Sequence, residues 1–300
     1  MKEELFGYLK SRDVEYKTEL DLSAYCTAKI GGAARVAVFP KNEKSITELI
    51  GYLRAESIKH RVVGGLSNTL VPDSGYDGVL IFTSLMKDFD ISGKCVKLSC
   101  GCRIGNIIGR LADGGLSGLE PLAGIPGMVG GLVYNNAGAF SASVSDILTE
   151  ARILDSQTGK IHTVSADRMH FDYRRSLLME EKGAVLLSAT FKLNSAPREK
   201  ILADLSEYKE RRRASQPLEY PSLGSVFKRP SSGFAGAYIE EAGLKGYSIG
   251  DAEISRKHAG FIINKGKARA EDFLALADYA RDTVFKKFGV GLEREIEILD

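Results

Sequence analysis

The chain has 300 residues, of which 44% are hydrophobic and 27% are charged, and its formal net charge is +2 at pH 7. This balance is typical of a globular protein with roughly two to three domains, and it gives no broad basic surface for binding nucleic acid. The one basic run, residues 211–213, follows Glu207 and Glu210 and is the solvated end of a helix. No apolar run reaches the roughly 18 residues of a membrane span. With the charged N-terminal sequence, this predicts a cytoplasmic protein without membrane insertion.

Cysteine and histidine usage argues against a disulfide framework and against a metal site. The four cysteines are too few for a disulfide scaffold in a chain of this length, so we expect reduced thiols. Cys100 and Cys102 would share one face if they lay in a strand. The four histidines lie far apart without the spacing of metal ligands, so no metal is expected.

The first predicted elements form a β-α-β unit. Residues 34–40 read as a strand, and residues 43–56 place their apolar side chains on one helical face. A second strand follows at residues 60–64 and runs into the sequence GGLSN, residues 64–68. Glycines directly after a strand let backbone N–H groups surround an anion, although a plain turn explains them equally well.

The middle of the chain is rich in glycine. Strands are predicted at residues 79–82, 95–99 and 131–134, and a helix at 104–113, where Gly114 and Gly115 end it. Residues 115–131, GLSGLEPLAGIPGMVGG, would then join this helix to the last of these strands. So permissive a segment indicates a chain that passes close to a ligand or to another backbone.

The glycines do not match the common nucleotide motifs. Neither G-x-G-x-x-G nor G-x-x-x-x-G-K-[ST] occurs, which excludes the usual Rossmann turn and the P-loop. Instead, Gly124, Gly127 and Gly130 recur at every third position, and Gly131 follows. Together with residues 64–65 they offer two backbone nests that can surround a pyrophosphate, an arrangement that suits a large cofactor such as FAD.

The C-terminal third has a different character. Residues 198–213 read as a charged helix, and residues 215–225, SQPLEYPSLGS, as a proline-containing linker. This predicts a domain boundary near residues 195–215. Apolar residues then recur at helical spacing through 273–288, and Gly289 is placed to end that helix.

Three polar groups are candidates for chemistry, and each also has an ordinary structural explanation. Arg174 lies in FDYRRSLL, Ser225 in PSLGSVFK, and Glu293 or Glu295 in a predicted C-terminal strand. A surface arginine pair, a turn serine and the wet face of an edge strand would explain them equally well. No G-x-S-x-G occurs and no histidine lies near Ser225 in sequence, so the serine is a better proton donor than nucleophile.

Ordered motifs carry a family resemblance from Thr27 to Ile298. They are TAKIGGAA (27–34), GGLSNTLVPDSGYDG (64–78), GLSGLEPLAGIPGMVGGLVYNNAGAF (115–140), YRRS (173–176), QPLEYPSLGSVFKRP (216–230), IEEAGLKGYSIGDAEIS (239–255), KHAGFIIN (257–264) and FGVGLEREIEI (288–298). In this order they resemble the UDP-N-acetylenolpyruvoylglucosamine reductase family. The absence of a long insertion before the C-terminal domain is similar to the compact subtype of that family.

The resemblance implies both a fold and an activity. The fold would be α+β, with a two-part FAD-binding domain of the vanillyl-alcohol-oxidase type and a C-terminal α/β substrate-binding domain. The implied division is 1–84 and 85–197 for the two FAD-binding parts and 198–300 for the substrate domain. The activity would be that of a flavin-dependent oxidoreductase with noncovalent FAD and NADPH. It would reduce UDP-N-acetylglucosamine enolpyruvate to UDP-N-acetylmuramate for peptidoglycan synthesis, as a monomer.

The resemblance also implies the site residues. The reaction residues are Arg174, Ser225 and Glu295, with Glu293 as the alternative glutamate. The implied cofactor-binding residues are Gly64, Gly65, Ser67, Asn68, Gly124, Ile125, Pro126, Gly127, Gly130 and Gly131. The implied substrate-binding residues are Tyr134, Lys228, Arg229 and His258.

The chain departs from the family pattern at three positions. Leu66 stands where the family usually has glycine, and Arg229 and Gly260 stand where it has asparagine. These changes bear on the phosphate path and on substrate affinity.

Two other functions fit parts of the pattern. A sugar or lactone oxidase on the same type of flavin domain would pass electrons to oxygen, and the rate of flavin reoxidation by oxygen or by UDP-sugar separates the two enzymes. A degenerate nucleotide-sugar binding protein would show no flavin absorbance even after FAD is added.

Overall fold

The computed structural model describes residues 2–300 and divides the chain into two compact units. Unit 1 consists of the described residues up to Thr18, with Val36–Gly64 and Gly78–Glu210. Unit 2 consists of Glu19–Arg35, Gly65–Asp77 and Arg211–Asp300. The implied division at residues 84 and 197 stays a prediction. Over the described residues, no helix combines the length and the apolar character that crossing a membrane requires.

Helices and strands are interspersed along the described residues. The helices are α1 (Lys2–Ser11), α2 (Glu43–Ala55), α3 (Ile104–Asp113), α4 (Val129–Tyr134), α5 (Leu177–Glu180), α6 (Arg198–Ser215), α7 (Ala235–Glu241) and α8 (Ala270–Phe288). The strands are β1 (Glu15–Asp21), β2 (Ala33–Phe39), β3 (His60–Val63), β4 (Thr69–Leu70), β5 (Tyr76–Phe82), β6 (Phe89–Ser92), β7 (Cys95–Ser99), β8 (Leu116–Ser117), β9 (Gly138–Ala139), β10 (Ala142–Ser143), β11 (Leu148–Asp155), β12 (Ile161–Ser165), β13 (Ala184–Lys192), β14 (Asn194–Ser195), β15 (Ser222–Ser225), β16 (Ser248–Ile249), β17 (Ala252–Ile254), β18 (Phe261–Asn264) and β19 (Glu297–Ile298).

The predicted β-α-β unit is present, with one difference in strand order. The strand order is β1-β2-β5-β3, so β5 separates the two predicted strands and pairs in parallel with β3. Helix α2 begins after Asn42, whose side chain accepts a hydrogen bond from the Ser45 N–H at 2.9 Å. Its predicted apolar face is buried, because Ile46, Leu49, Ile50 and Leu53 pack in the core.

Unit 1 contains a five-stranded antiparallel sheet. Its strand order is β12-β11-β13-β7-β6, and β13 pairs with both β11 and β7. Helix α3 buries Ile104, Ile107, Ile108 and Leu111 at helical spacing, which confirms the predicted helix at 104–113.

The prediction of a strand at residues 131–134 is wrong. This segment belongs to α4, because Val129, Leu132 and Val133 are buried at the i, i+3, i+4 spacing of a helical face. Residues 115–131 therefore run from one helix into another, through β8 and a 3₁₀ turn at Glu120–Leu122.

The cysteine pair follows β7 and does not lie in it. Cys100 and Cys102 are free thiols, and both are buried. Burial raises the pKa of Cys100 to about 12, so its sulfur stays protonated and inert.

Unit 2 combines a four-stranded antiparallel sheet with the long helix α8. The strand order is β15-β18-β17-β16, and β4 pairs separately, in parallel, with β19. Helix α8 buries its predicted apolar stripe and ends at Gly289, whose φ of +67° is the left-handed conformation of a C-cap. Its start is fixed from a distant part of the chain, since Asp73 accepts a hydrogen bond from the Ala270 N–H at 2.9 Å.

Two sequence predictions for unit 2 differ from the structure. The predicted linker at 215–225 ends in strand β15. At the C-terminus only Glu297–Ile298 form a strand, so Glu293 and Glu295 precede it rather than lie in it. An isolated bridge between Phe227 and Arg294 holds that preceding segment.

Candidate active site

The first glycine segment keeps the backbone path of glycine although it contains a leucine. Leu66 has a φ of +47°, the left-handed region that favours glycine and costs other residues about 1–2 kcal/mol. Its side chain is only 3% exposed, and such burial contributes about 1.5–3 kcal/mol, which offsets the strain. Its carbonyl accepts a hydrogen bond from the Thr27 N–H at 3.3 Å. The chain therefore still turns at residue 66, although leucine stands there in place of glycine.

The end of β3 lies beside the second glycine segment within unit 1. A Cβ built on Gly64 would lie 3.7 Å from the Met128 Cβ, which is ordinary contact. A Cβ built on Gly131 would meet no atom within 4 Å, so the backbone there is bare. Open space beside the Gly131 backbone, in a segment that contacts the end of β3 through Met128, leaves room for a large cofactor with a pyrophosphate, and the residues present therefore fit FAD.

Two of the predicted cofactor-binding residues, Gly130 and Asn68, already form hydrogen bonds within the protein. The Gly130 N–H donates to the Cys100 carbonyl at 2.8 Å, so Gly130 serves a close approach of two backbones. The Asn68 side chain donates to the Glu295 carbonyl at 3.0 Å, and the Asn68 carbonyl accepts from the Glu297 N–H at 2.9 Å. Asn68 thus holds the segment that carries Glu295.

The neighbouring residues Arg174 and Arg175 lie in different environments. The Arg175 side chain is bound by the Glu180 carboxylate, with 2.8 Å between Nη2 and Oε1. A hydrogen bond from His170 is the main cause that lowers the pKa of the Glu180 carboxyl. Arg174 has a φ of +54°, and its guanidinium carbon lies 5.2 Å from the centroid of the Tyr173 ring. Left-handed backbone at a non-glycine residue is strained, and such strain concentrates at functional sites.

Two hydrogen bonds hold the turn that contains Arg174. The Arg175 N–H donates to the Asp172 carbonyl at 3.1 Å and closes the turn. The Ser176 hydroxyl donates to the Tyr134 carbonyl at 2.6 Å, which fixes the turn to α4. Tyr134 and Arg174 therefore belong to one connected region of unit 1.

Asn136 is a supporting residue that sequence reasoning missed. Its Nδ2 donates to the Asp172 carbonyl at 3.0 Å, and its Oδ1 accepts from the Ser145 N–H at 3.0 Å. Asn136 has a φ of +39°, which asparagine tolerates better than most residues. The sequence signal that could have identified Asn136 is its position in YNNAGAF, part of the motif at residues 115–140.

Ser225 and Glu295 are brought together by backbone hydrogen bonds in unit 2. Ser225 ends β15 and pairs with Phe261 of β18. The next residue, Val226, donates to the Gly260 carbonyl at 2.9 Å and accepts from the Glu295 N–H at 2.8 Å. Unit 1 contains Arg174, the third predicted reaction residue.

The alternative glutamate is bound in an ion pair. Glu293 Oε1 lies 2.6 Å from Lys228 Nζ, and the Glu293 carboxylate side chain is 73% exposed. The Lys228 N–H also donates to the Glu293 carbonyl at 2.8 Å. Glu293 therefore orients one of the predicted substrate-binding residues.

The other two predicted substrate-binding residues of unit 2 lie in distinct settings. Arg229 is exposed, and its guanidinium carbon lies 4.4 Å from the centroid of the Phe234 ring. His258 is half-buried, and its Nδ1 accepts a hydrogen bond from the Gly260 N–H at 3.1 Å. Burial is the main cause that lowers the pKa of His258, so the ring is neutral at pH 7.

Two family models match successive parts of the chain. A family model described as "FAD binding domain" matches residues 34–165. A second, "UDP-N-acetylenolpyruvoylglucosamine reductase, C-terminal domain", matches residues 216–299. Together with the mixed helices and strands, they confirm the predicted α+β fold with an FAD-binding domain and a C-terminal domain.

Full-length relatives carry the name of the second family. UDP-N-acetylenolpyruvoylglucosamine reductase of Caldicellulosiruptor bescii is 47% identical over 97% of this chain and 93% of its own length. The protein of that name from Latilactobacillus sakei is 40% identical over 96% of this chain and 95% of its own length. The crystal structure of UDP-N-acetylenolpyruvylglucosamine reductase (MurB) from Thermus caldophilus is similar with a TM-score of 0.80, at 33% identity, over 96% of this chain and 99% of that one. The chain belongs to the UDP-N-acetylenolpyruvoylglucosamine reductase family.

Proposed function

We propose that this protein reduces UDP-N-acetylglucosamine enolpyruvate to UDP-N-acetylmuramate with noncovalent FAD and NADPH. It would do so in the cytoplasm, as a monomer, in peptidoglycan precursor synthesis. Agreement with named relatives over nearly the full chain supports the reaction class. The observation that carries the proposal is the proximity of Ser225 and Glu295, whose backbones are joined through Val226.

The substrate alkene needs a hydride on one carbon and a proton on the other. FAD held by the two glycine segments and reduced by NADPH would be the source of that hydride, which adds to the alkene carbon distant from the carboxylate. Negative charge then develops on an enolate that is delocalised into the carboxylate. Arg174 is permanently charged and can bind a carboxylate through two parallel hydrogen bonds, so we assign it the stabilisation of that charge. Its fixed backbone turn would reduce the reorganisation needed at the moment of reaction.

Ser225 is assigned the proton transfer. Its hydroxyl would protonate the carbon that bears the carboxylate, which completes the addition of one hydride and one proton. Glu295 would orient the enolate or complete the path that returns a proton to the serine. Glu293 takes the secondary role of holding Lys228, because their side chains already form an ion pair.

Binding is assigned to the remaining predicted residues. Lys228 and Arg229 supply positive charge that suits an anionic nucleotide sugar. Tyr134 and the neutral ring of His258 complete the substrate-binding set. The cofactor is assigned to Gly64, Gly65, Ser67, Asn68, Gly124, Ile125, Pro126, Gly127, Gly130 and Gly131.

Flavin reoxidation tests the proposal directly. The FAD-loaded protein is reduced with one equivalent of NADPH without oxygen, and is then mixed with either UDP-N-acetylglucosamine enolpyruvate or oxygenated buffer. The proposal predicts faster reoxidation by the nucleotide sugar, with UDP-N-acetylmuramate as the product. Faster reoxidation by oxygen would indicate an oxidase. Failure to bind FAD would indicate a binding protein without this activity.

A further inference from the structure

A series of hydrogen bonds in unit 2 links His258 to the backbone beside Ser225 and to the backbone of Glu295, two of the three proposed reaction residues. The His258 Nδ1 accepts from the Gly260 N–H at 3.1 Å. The Gly260 carbonyl accepts from the Val226 N–H at 2.9 Å, and the Val226 carbonyl accepts from the Glu295 N–H at 2.8 Å. Because Val226 follows Ser225 directly, one imidazole nitrogen is connected through the main chain of two residues, Gly260 and Val226, to the backbones of Ser225 and Glu295.

The ring of His258 occupies space that exists because residues 236 and 260 are glycines. A Cβ built on Gly260 would lie 3.0 Å from His258 Cε1 and 3.1 Å from Nδ1, closer than Cβ atoms ordinarily approach. A Cβ built on Gly236 would lie 3.2 Å from the same Cε1 atom. Any side chain at position 260 would therefore require this ring to move.

The backbone of His258 is itself held in place. Its N–H donates to the hydroxyl of the buried Ser255 at 3.3 Å, and its carbonyl accepts from the Phe261 N–H at 3.0 Å. The imidazole meets the Phe261 ring edge-on, with 4.9 Å between centroids. These contacts fix the ring so that Nδ1 faces Gly260.

Charge at this position decides whether the hydrogen bond can form. Nδ1 can accept only when it carries no proton, so the single proton of the neutral ring lies on Nε2. Desolvation is the main cause that lowers the pKa of His258; the positive charge of Lys245 also lowers it and Glu240 raises it. Lys245 and Glu240 are paired, with 2.6 Å between Nζ and Oε1, so their effects oppose each other. A protonated ring would direct an N–H against the Gly260 N–H.

We propose that His258 is a positioning residue, whose unprotonated Nδ1 holds the Gly260 peptide and thereby the backbones of Ser225 and Glu295 in reactive register. Protonation of the ring releases that hold and slows proton transfer to the substrate. The proposal rests on the proposed function, since it presumes that Ser225 is the proton donor. It predicts an acid limb in the substrate half-reaction that the NADPH half-reaction lacks.

Two substitutions distinguish the effect of the Nδ1 acceptor from the effect of the size of the ring. His258→Asn keeps an oxygen acceptor near the place of Nδ1, whereas His258→Phe keeps the ring and removes the acceptor. His162→Asn, on the exposed part of β12, is the matched control. Each holoenzyme is reduced with NADPH and mixed without oxygen with saturating UDP-N-acetylglucosamine enolpyruvate, from about pH 5 to about pH 8, where histidine titrates.

The expected results differ in rate and in pH profile. The wild-type rate of reoxidation falls in acid, and the His162→Asn control follows it. His258→Phe is slower by roughly ten- to hundredfold at every pH, as for a misplaced reacting group. His258→Asn is slower than the neutral wild type, since the replaced ring belongs to the proposed substrate-binding set, but it is about fivefold or more faster than His258→Phe and lacks the acid limb, because its acceptor survives and does not titrate. Both variants can raise KM, since both lose the Nε2–H, so the saturated rate is the deciding quantity.

A third variant and two controls keep the result interpretable. Gly260→Ala adds the Cβ that displaces the ring, and its saturated rate should match that of His258→Phe. FAD content and the rate of flavin reduction by NADPH identify any variant that fails to fold. Equal slowing by His258→Asn and His258→Phe, or a flat wild-type profile, overturns the positioning role. If the wild type itself is not reoxidised by the nucleotide sugar, the proposed function fails, and the positioning role with it.

Discussion

Replacement of Ser225 by alanine removes one hydroxyl and leaves the surrounding backbone framework in place. The bonds that hold this point are made by main-chain atoms of Val226, Gly260 and Glu295, so the substitution disturbs the fold little. An acid catalyst typically contributes 10²–10⁴-fold to the rate. We therefore expect substrate-dependent reoxidation to slow by about 10²-fold or more, or about 2.7 kcal/mol in the barrier. Flavin reduction by NADPH should remain nearly unchanged.

Stopped-flow absorbance of the flavin measures the two half-reactions separately. Ser231→Ala, which removes an exposed hydroxyl from the same unit, is the control and should match the wild type in both. Selective slowing of the substrate half-reaction agrees with proton donation by Ser225. Equal slowing of both half-reactions would refute the reasoning, because it would indicate general damage to the flavin site.

Other substitutions test the strained backbone, the buried thiols and the arginine. Arg174→Gly should relieve left-handed strain of about 1–2 kcal/mol but lower the rate of flavin reoxidation by about 10²–10³-fold, measured by thermal melting and stopped flow; a variant that keeps its rate contradicts the charge-stabilising role. Leu66→Gly should lower the free energy of unfolding by about 1–2 kcal/mol in denaturant titration, because the lost burial exceeds the relieved strain; an increase would be contrary. A thiol reagent at about pH 8 should label the exposed Cys95 and leave Cys100, whose pKa is raised to about 12, unmodified in native protein; rapid labelling of Cys100 would show that it is not buried.

Local periodicity was enough to predict the long elements. Helices α3 and α8 carry apolar side chains at helical spacing, and each ends at a glycine, so the sequence contains the signals for their course and their end. Residues 131–134 lacked such signals, because a short apolar run reads equally well as a strand or as a buried helix. The two glycines at 130 and 131 concealed the helical spacing that begins at Val129.

Features that depend on distant partners could not be read locally. Asp73 caps α8 across a long stretch of chain, and no local pattern links it to Ala270. Nor does a local pattern show which of the adjacent residues Arg174 and Arg175 is bound by Glu180; in the structure it is Arg175. The resemblance to a family supplied the proposed reaction residues. The hydrogen bonds that link Val226 to His258 through Gly260 depend on the pairing of β15 with β18, which no local sequence pattern predicts.

A crystal structure of the holoenzyme with bound nucleotide sugar would show whether Arg174 and Ser225 meet the enolpyruvyl group. The Arg174 guanidinium should contact the substrate carboxylate through two hydrogen bonds. The Ser225 hydroxyl should lie close to the carbon that bears this carboxylate, within reach for proton transfer, about 2.6–3.2 Å or through one water. A complex in which either side chain points away from the enolpyruvyl group would contradict the proposed mechanism.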